Sequence, residues 1–148
     1  MFTTSDLEVI KQAKAILRSK LITSNCFTTP AHTKDFCQVA IGHYDHEVFG
    51  VLFLNQRHCL IEFVELFRGT INGASVYPRE VAKEALKYNA AAVMFTHNHP
   101  SGIAEPSEAD KAITRRLVDA LGLLDIRVLD HIVVGCGDCV SFADRGLL

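Results

Sequence analysis

Apolar residues along this chain alternate between a helical repeat and short unbroken runs, which predicts helices and strands in turn. Val9, Ile10, Ala13, Ile16, Leu17 and Leu21 recur at helical spacing behind Ser5-Asp6-Leu7-Glu8, whose Ser-x-x-Glu order is a capping box. Thr23 to Thr29 is a polar connection, and Pro30, suited to a first helical turn, opens a second helix reaching about Gly42. Glu47 to Leu54 and Leu60 to Leu66 read as neighbouring strands joined by the polar turn Asn55-Gln56-Arg57-His58. Gly69 to Gly73 reads as a loop. Pro78 to Asn89 is amphipathic, with Val81, Ala82, Ala85 and Leu86 inward and Lys83, Glu84 and Lys87 outward. Ala90 to Phe95 is the apolar run of a fully buried strand. Ala109 to Leu121 returns to helical spacing, packing through Ile113, Leu117 and Leu121 and ending at Gly122. Ile126 to Val134 predicts one or two strands, and Val140 to Phe142 a last short one. Strands alternating with helices, plus one tight antiparallel meander, give a mixed sheet flanked by helices.

The junction between the Ala90 to Phe95 strand and the next helix carries the chemistry. It reads His97-Asn98-His99-Pro100-Ser101-Gly102, then Pro106-Ser107 and Asp110. Residues two apart on a strand share a face, so His97 and His99 point the same way. Pro100 and Gly102 break the extended chain, and Ser107 with Asp110 three residues on marks a helix start. Two imidazoles and a carboxylate supply three ligands to a tetrahedral zinc and leave a fourth position for water, the composition of a catalytic rather than a closed structural site. The competing reading is local: ordinary hydrogen-bonded histidines, and a Ser107–Asp110 pair that only satisfies orphan helix donors. Hydrolysis at such a metal also needs a carboxylate to take and return a proton, for which Glu47, Glu62, Glu65 and Glu105 are available.

The order His-x-His, seven residues, Ser, two residues, Asp resembles the signature of the JAMM (JAB/MPN) metalloprotease superfamily. The fuller string from His97 to Asp110 resembles its RadC-like branch. The resemblance runs from about Glu47 to Leu148 and implies a cytidine-deaminase-like α/β fold, a three-layer sandwich with a mixed sheet between helices. On that reading residues 1–46 are an N-terminal helical extension and residues 47–148 the RadC-like JAMM/MPN domain, in one compact unit. The resemblance also implies zinc on His97, His99 and Asp110, and Ser107 as a donor to the tetrahedral oxyanion. Glu47-Val48-Phe49-Gly50-Val51-Leu52 resembles the segment that carries the family's general base, which selects Glu47. Asn98 and Ser101 lie beside the ligands as candidates for orienting substrate. Asp130-His131 resembles a recurring pair that supports ligands from behind or closes the core edge. Pro78-Arg79-Glu80 also matches, with Arg79 expected to pair with a nearby acid. Two departures stand out: Ile103 replaces a residue that is often polar, and residues 1–46 lack the Gly-containing helix-hairpin-helix that longer RadC-like proteins use on DNA.

Composition bounds what this chemistry serves. The 148 residues suit one domain, and 49% hydrophobic with 22% charged residues is ordinary for a globular protein. The net charge of −2, with no basic run, leaves no electrostatic footprint for strong nucleic-acid binding. Mixed charges through Met1 to Leu21 predict neither a signal peptide nor a membrane span, and five cysteines without a regular framework predict a cytoplasmic setting. Cys136-Gly137-Asp138-Cys139 reads as a hairpin turn rather than half a metal site, because no second Cys pair exists. His32, His43, His46 and His58, in or near turns, read as solvated. The expectation is a zinc-dependent hydrolase acting on a peptide or isopeptide-linked protein. The alternatives are a DNA-repair-associated protein without strong direct nucleic-acid binding, and a metal-stabilised module without turnover.

Overall fold

The computed structural model describes residues 1–23, 29–69 and 75–148. The predicted connections over 23–29 and 69–73 lie wholly or partly outside them, as does the Leu21 side chain. The elements are α1 (Thr4–Thr23), α2 (Pro30–Ile41), β1 (Val48–Leu54), β2 (Leu60–Arg68) and α3 (Pro78–Lys87), followed by β3 (Ala92–Asn98), α4 (Glu108–Gly122), β4 (Arg127–Val134) and β5 (Cys139–Ser141).

All seven residues of β1 are buried, so the strand must be covered on both faces, and its alternation shows by what. Val48, Leu52 and Leu54 join Phe36, Cys37, Ala40 and Ile41 of α2, while Phe49, Val51 and Phe53 join Val81 and Ala85 of α3 and Leu117 and Leu121 of α4. Each of the valines, leucines, isoleucines and phenylalanines among them contributes about 1.5–3 kcal/mol by leaving water. The result is the predicted three-layer α/β arrangement. The sheet order is β2-β1-β3-β4-β5. β1 runs antiparallel to both β2 and β3, β3 pairs parallel with β4, and β5 returns antiparallel on β4. The parallel pair requires a crossover, and α4 is that crossover. It brings the C-terminal end of β3, the central strand, and the N-terminus of α4 together at one end of the sheet.

Several local expectations move. The α1 cap is Thr3 with Asp6, not Ser5 with Glu8: Asp6 N–H donates to Thr3 Oγ1 at 3.2 Å and Thr3 N–H to the Asp6 carboxylate at 2.7 Å. Ser5 therefore lies inside the helix. α1 buries only a narrow stripe around Ile10, Ala13 and Leu17, so Val9 and Ile16 face solvent. Ion pairs from Lys14 to Glu65 and from Arg18 to Glu62 attach it to β2. Leu86 of α3 is exposed rather than inward. Gly122 is still helical, and the left-handed residue that turns the chain is Asp125, at φ 58°. Of the one or two strands expected over Ile126 to Val134, the structure forms one, Arg127–Val134. His43 is half-buried against Tyr44, ring centroids 4.1 Å apart, and burial lowers its affinity for a proton, so it is not a solvated histidine. Among the described residues no helix is long and apolar enough to cross a membrane.

Candidate metal centre

β3 delivers His97 wholly buried, and the chain leaves the strand with His99 on the same face. A turn follows at once: Gly102 N–H donates to His99 O at 2.9 Å, with Pro100 at the position whose fixed φ suits it and Gly102 at φ 85°. The chain then runs to Ser107, which caps α4. His97 Nε2 lies 3.2 Å from Asp110 Oδ1, His99 Nε2 lies 3.1 Å from Asp110 Oδ2, and the two Nε2 atoms are 3.0 Å apart. The three residues present one ligand atom each within 4.8 Å of one another. The capping reading of Ser107 and Asp110 holds, and it leaves both Asp110 oxygens facing the histidines. Ser107 Oγ accepts from Asp110 N–H at 3.0 Å and Asp110 Oδ2 accepts from Ser107 N–H at 2.7 Å, a complete capping box. That box fixes the carboxylate facing the histidines.

The donor set fits a divalent cation. His99 Nδ1 lies 2.8 Å from Ile103 O, a pure acceptor, so Nδ1 carries the proton and Nε2 is the atom turned to Asp110. Contact with Asp110 raises the affinity of His99 for a proton despite partial burial. Burial pushes the Asp110 carboxyl up, but its contacts with His97 and His99 outweigh this and hold it well below the usual carboxylate range. Two imidazole nitrogens and a carboxylate aimed at one point repel one another unless a positive charge lies among them. Nitrogen and oxygen donors of this kind suit zinc.

Behind the candidate ligands lies a buried relay. His97 Nδ1 is 2.7 Å from His131 Nε2, His131 Nδ1 is 2.7 Å from Thr114 Oγ1, and Thr114 Oγ1 donates to Asp110 O at 2.6 Å. Desolvation pushes the His131 imidazole well below its ordinary pKa. Its pair-mate Asp130 turns elsewhere: it accepts from Ser141 Oγ at 2.6 Å and from Ala143 N–H at 2.9 Å, tying β4 to the segment after β5. The two roles that the sequence leaves open for this pair are thus divided between its members, and the only signal for Thr114 is its position one helical turn after Asp110.

The four glutamates separate cleanly. Phe49 pairs with His97 across β1 and β3, so Glu47, two residues outward, stands on the same face as His99 at the rim of the same cleft. Glu62 pairs with Arg18, Glu65 with Lys14, Arg68 and Tyr44, and Glu105 with Arg145. Asn98, expected to orient substrate, is buried and faces away. Its Oδ1 accepts from Val48 N–H at 2.7 Å and its Nδ2 donates to His46 O at 2.9 Å and Tyr44 O at 3.3 Å. It pins the segment carrying Glu47 to the histidine strand, a consequence of alternation: residue 98 must point opposite to 97 and 99. Ser101 does line the cleft, and Arg79 is exposed beside Glu80, 3.9 Å away.

The Cys136–Cys139 segment is the β4–β5 turn, closed by Gly135 N–H to Asp138 O at 2.8 Å. Both thiols are free. The turn also holds the ligand loop in place: Cys136 N–H donates to Gly102 O and His99 N–H to Val134 O, each at 2.8 Å. Gly135 makes this approach possible, since a Cβ there would lie 2.5 Å from Gly102 O and 2.9 Å from Ala104 N, both backbone atoms. Gly135→Ala is therefore expected to destabilise the fold by about 1–3 kcal/mol and to weaken metal binding. Urea unfolding and metal titration read the two effects, and a variant with wild-type values in both removes this role for Gly135.

These features define a class: an α/β domain with two histidines at the end of a parallel strand and an aspartate in the first turn of the crossover helix. The model of the RadC-like JAB domain matches residues 27–147, and the chain belongs to that family. The match takes in α2 as well as the sheet. The chain is 55% identical over 139 residues to a UPF0758 protein of Marinobacter nauticus, covering 94% of this chain and 62% of that protein. It is 56% identical over 140 residues to a UPF0758 protein of Vibrio cholerae, covering 95% and 88%, and 54% identical to one of Cellvibrio japonicus, covering 95% and 62%. The chain thus spans less than two thirds of the length of two of these relatives. The family fits the JAMM superfamily, which includes metal-dependent hydrolases.

Proposed function

We propose that the protein is a zinc-dependent hydrolase of peptide or isopeptide bonds. The observation that carries this reading is the convergence of His97, His99 and Asp110 with an otherwise unengaged carboxylate, Glu47, on one open cleft of about 570 Å³. Zinc on those ligands would acidify a water and polarise a carbonyl. Glu47 takes the proton of the attacking water and returns it to the leaving nitrogen. Ser107 uses its oxygen to cap α4, which leaves its O–H free to donate to the oxyanion that develops at the substrate carbonyl.

The lining supports an amide substrate over nucleic acid. Phe49, Val76 and Ile113 form an apolar wall, Ser75, Ser101 and Ser107 offer hydroxyls, and no Lys or Arg is among the described lining residues. Residues 70–74 contain none in sequence either. A phosphodiester backbone would meet Glu47 and Asp110 with no side-chain cation to offset them, whereas phosphate recognition depends on such cations.

The test is a screen of zinc-loaded protein against peptide, isopeptide-linked and nucleic-acid substrates, with Glu47→Gln as the control. Amide hydrolysis that vanishes in the control is the expected result. Cleavage confined to nucleic acid, or DNA binding with a steep salt dependence, would favour the DNA-associated alternative.

A further inference from the structure

The buried relay behind His97 is more elaborate than packing requires. His131 sits among phenylalanines, with ring centroids 4.7 Å from Phe142, 5.5 Å from Phe49 and 5.8 Å from Phe95. An apolar side chain would fill such a place without the cost of desolvating two ring nitrogens. Both nitrogens are instead satisfied, one by a ligand histidine and the other by a hydroxyl.

The direction of each bond follows from donors and acceptors alone. Asp110 O is a carbonyl and only accepts, so the single hydroxyl proton of Thr114 is committed to it. Thr114 Oγ1 must then accept from His131, which places the His131 proton on Nδ1. The other nitrogen of the neutral ring, Nε2, is left as an acceptor, and it faces His97 Nδ1 at 2.7 Å. His97 therefore carries its proton on Nδ1. Its Nε2 lone pair is left bare, and Nε2 is the atom 3.2 Å from Asp110 Oδ1.

We propose that His131 and Thr114 are positioning residues that set the tautomer of His97, so that the ring is always presented to the metal through Nε2. The relay starts at one ligand, His97, and ends on the backbone of another, Asp110, which closes a ring through β3, β4 and α4. Through it the ligand geometry of β3 is tied to the first turn of α4. This role rests on the metal reading above, but the tautomer can be observed without any metal.

Two measurements test it. In metal-free wild type at alkaline pH, nitrogen-15 NMR of the ring nitrogens should show the His97 proton on Nδ1, and a proton on Nε2 would overturn the proposal. Zinc affinity, measured by competition with a chelating dye, should fall about 10–100-fold in His131→Leu. His131→Gln should recover it to within about threefold, because the amide oxygen accepts from His97 and the amide N–H donates to Thr114. Thr114→Val should weaken zinc and Thr114→Ser restore it, and this pair decides the matter if His131→Leu does not fold. Equal affinities within each pair of variants would reduce the relay to packing and overturn the proposal. Wild type that binds no zinc yet carries the Nδ1 proton would refute the metal reading and leave the tautomer assignment standing.

Discussion

Asp110→Asn should purify with its helix intact and its metal gone. Wild-type protein is expected to carry about one zinc per chain, the stoichiometry of a single three-ligand site. Asp110 has two separable duties. One oxygen accepts the Ser107 N–H and completes the capping box, and both oxygens face the histidine Nε2 atoms. An asparagine oxygen can still accept the Ser107 N–H, so the α4 start survives, but the negative charge that attracts the cation is lost. Asp110→Ala loses both duties, yet Ser107 Oγ still accepts from the backbone N–H of residue 110, so only the reciprocal half of the capping box goes. His97→Ala should also empty the site. Elemental analysis gives the metal content, while circular dichroism and thermal unfolding of the metal-free proteins report the helix. Metal content unchanged in both Asp110→Asn and His97→Ala would eliminate the site.

Glu47→Gln should keep the zinc and lose hydrolysis by about 10²–10⁴-fold, the usual contribution of a positioned general base. The variant is nearly isosteric, and Glu47 is not among the three clustered donors, so retention of metal is the internal control. Its backbone stays in place because Glu47 O accepts from Gly69 N–H at 2.8 Å and Asn98 fixes Val48 beside it. The other three glutamates are committed to arginine, lysine or tyrosine partners, so none is free to substitute. Hydrolysis at the wild-type rate with metal intact would mean that the base has been misassigned.

Most of this site was legible along the chain because its parts lie close in sequence. His97, His99, Ser107 and Asp110 fall on one strand-turn-helix unit, where spacing translates directly into geometry. The helices and central strands were legible because their apolar periods are strong. Their ends were less so. Thr3, Ser5 and Asp125 show that several neighbouring residues can serve as cap or turn, and the backbone chooses among them by its contacts. Asn98 was misread for a related reason: its neighbours line the cleft, but strand alternation sends it to the opposite face, where it serves the fold.

The sequence by itself determined the alternating α/β plan, the three candidate ligands and the capped helix that aims one of them, since these depend on interactions within a few residues. Resemblance alone singled out Glu47 along the chain, and the physical reason it faces the candidate ligands is tertiary: the register of β1 against β3. Only the tertiary structure revealed the relay through His131 and Thr114, which joins residues from β3, β4 and α4 by bonds that no spacing encodes. It also explained Gly135, whose missing side chain matters only because the ligand loop passes across it. The candidate metal donors are local and so can be read from the chain, whereas Glu47 and the His131–Thr114 relay are non-local and join them only when the sheet brings them together.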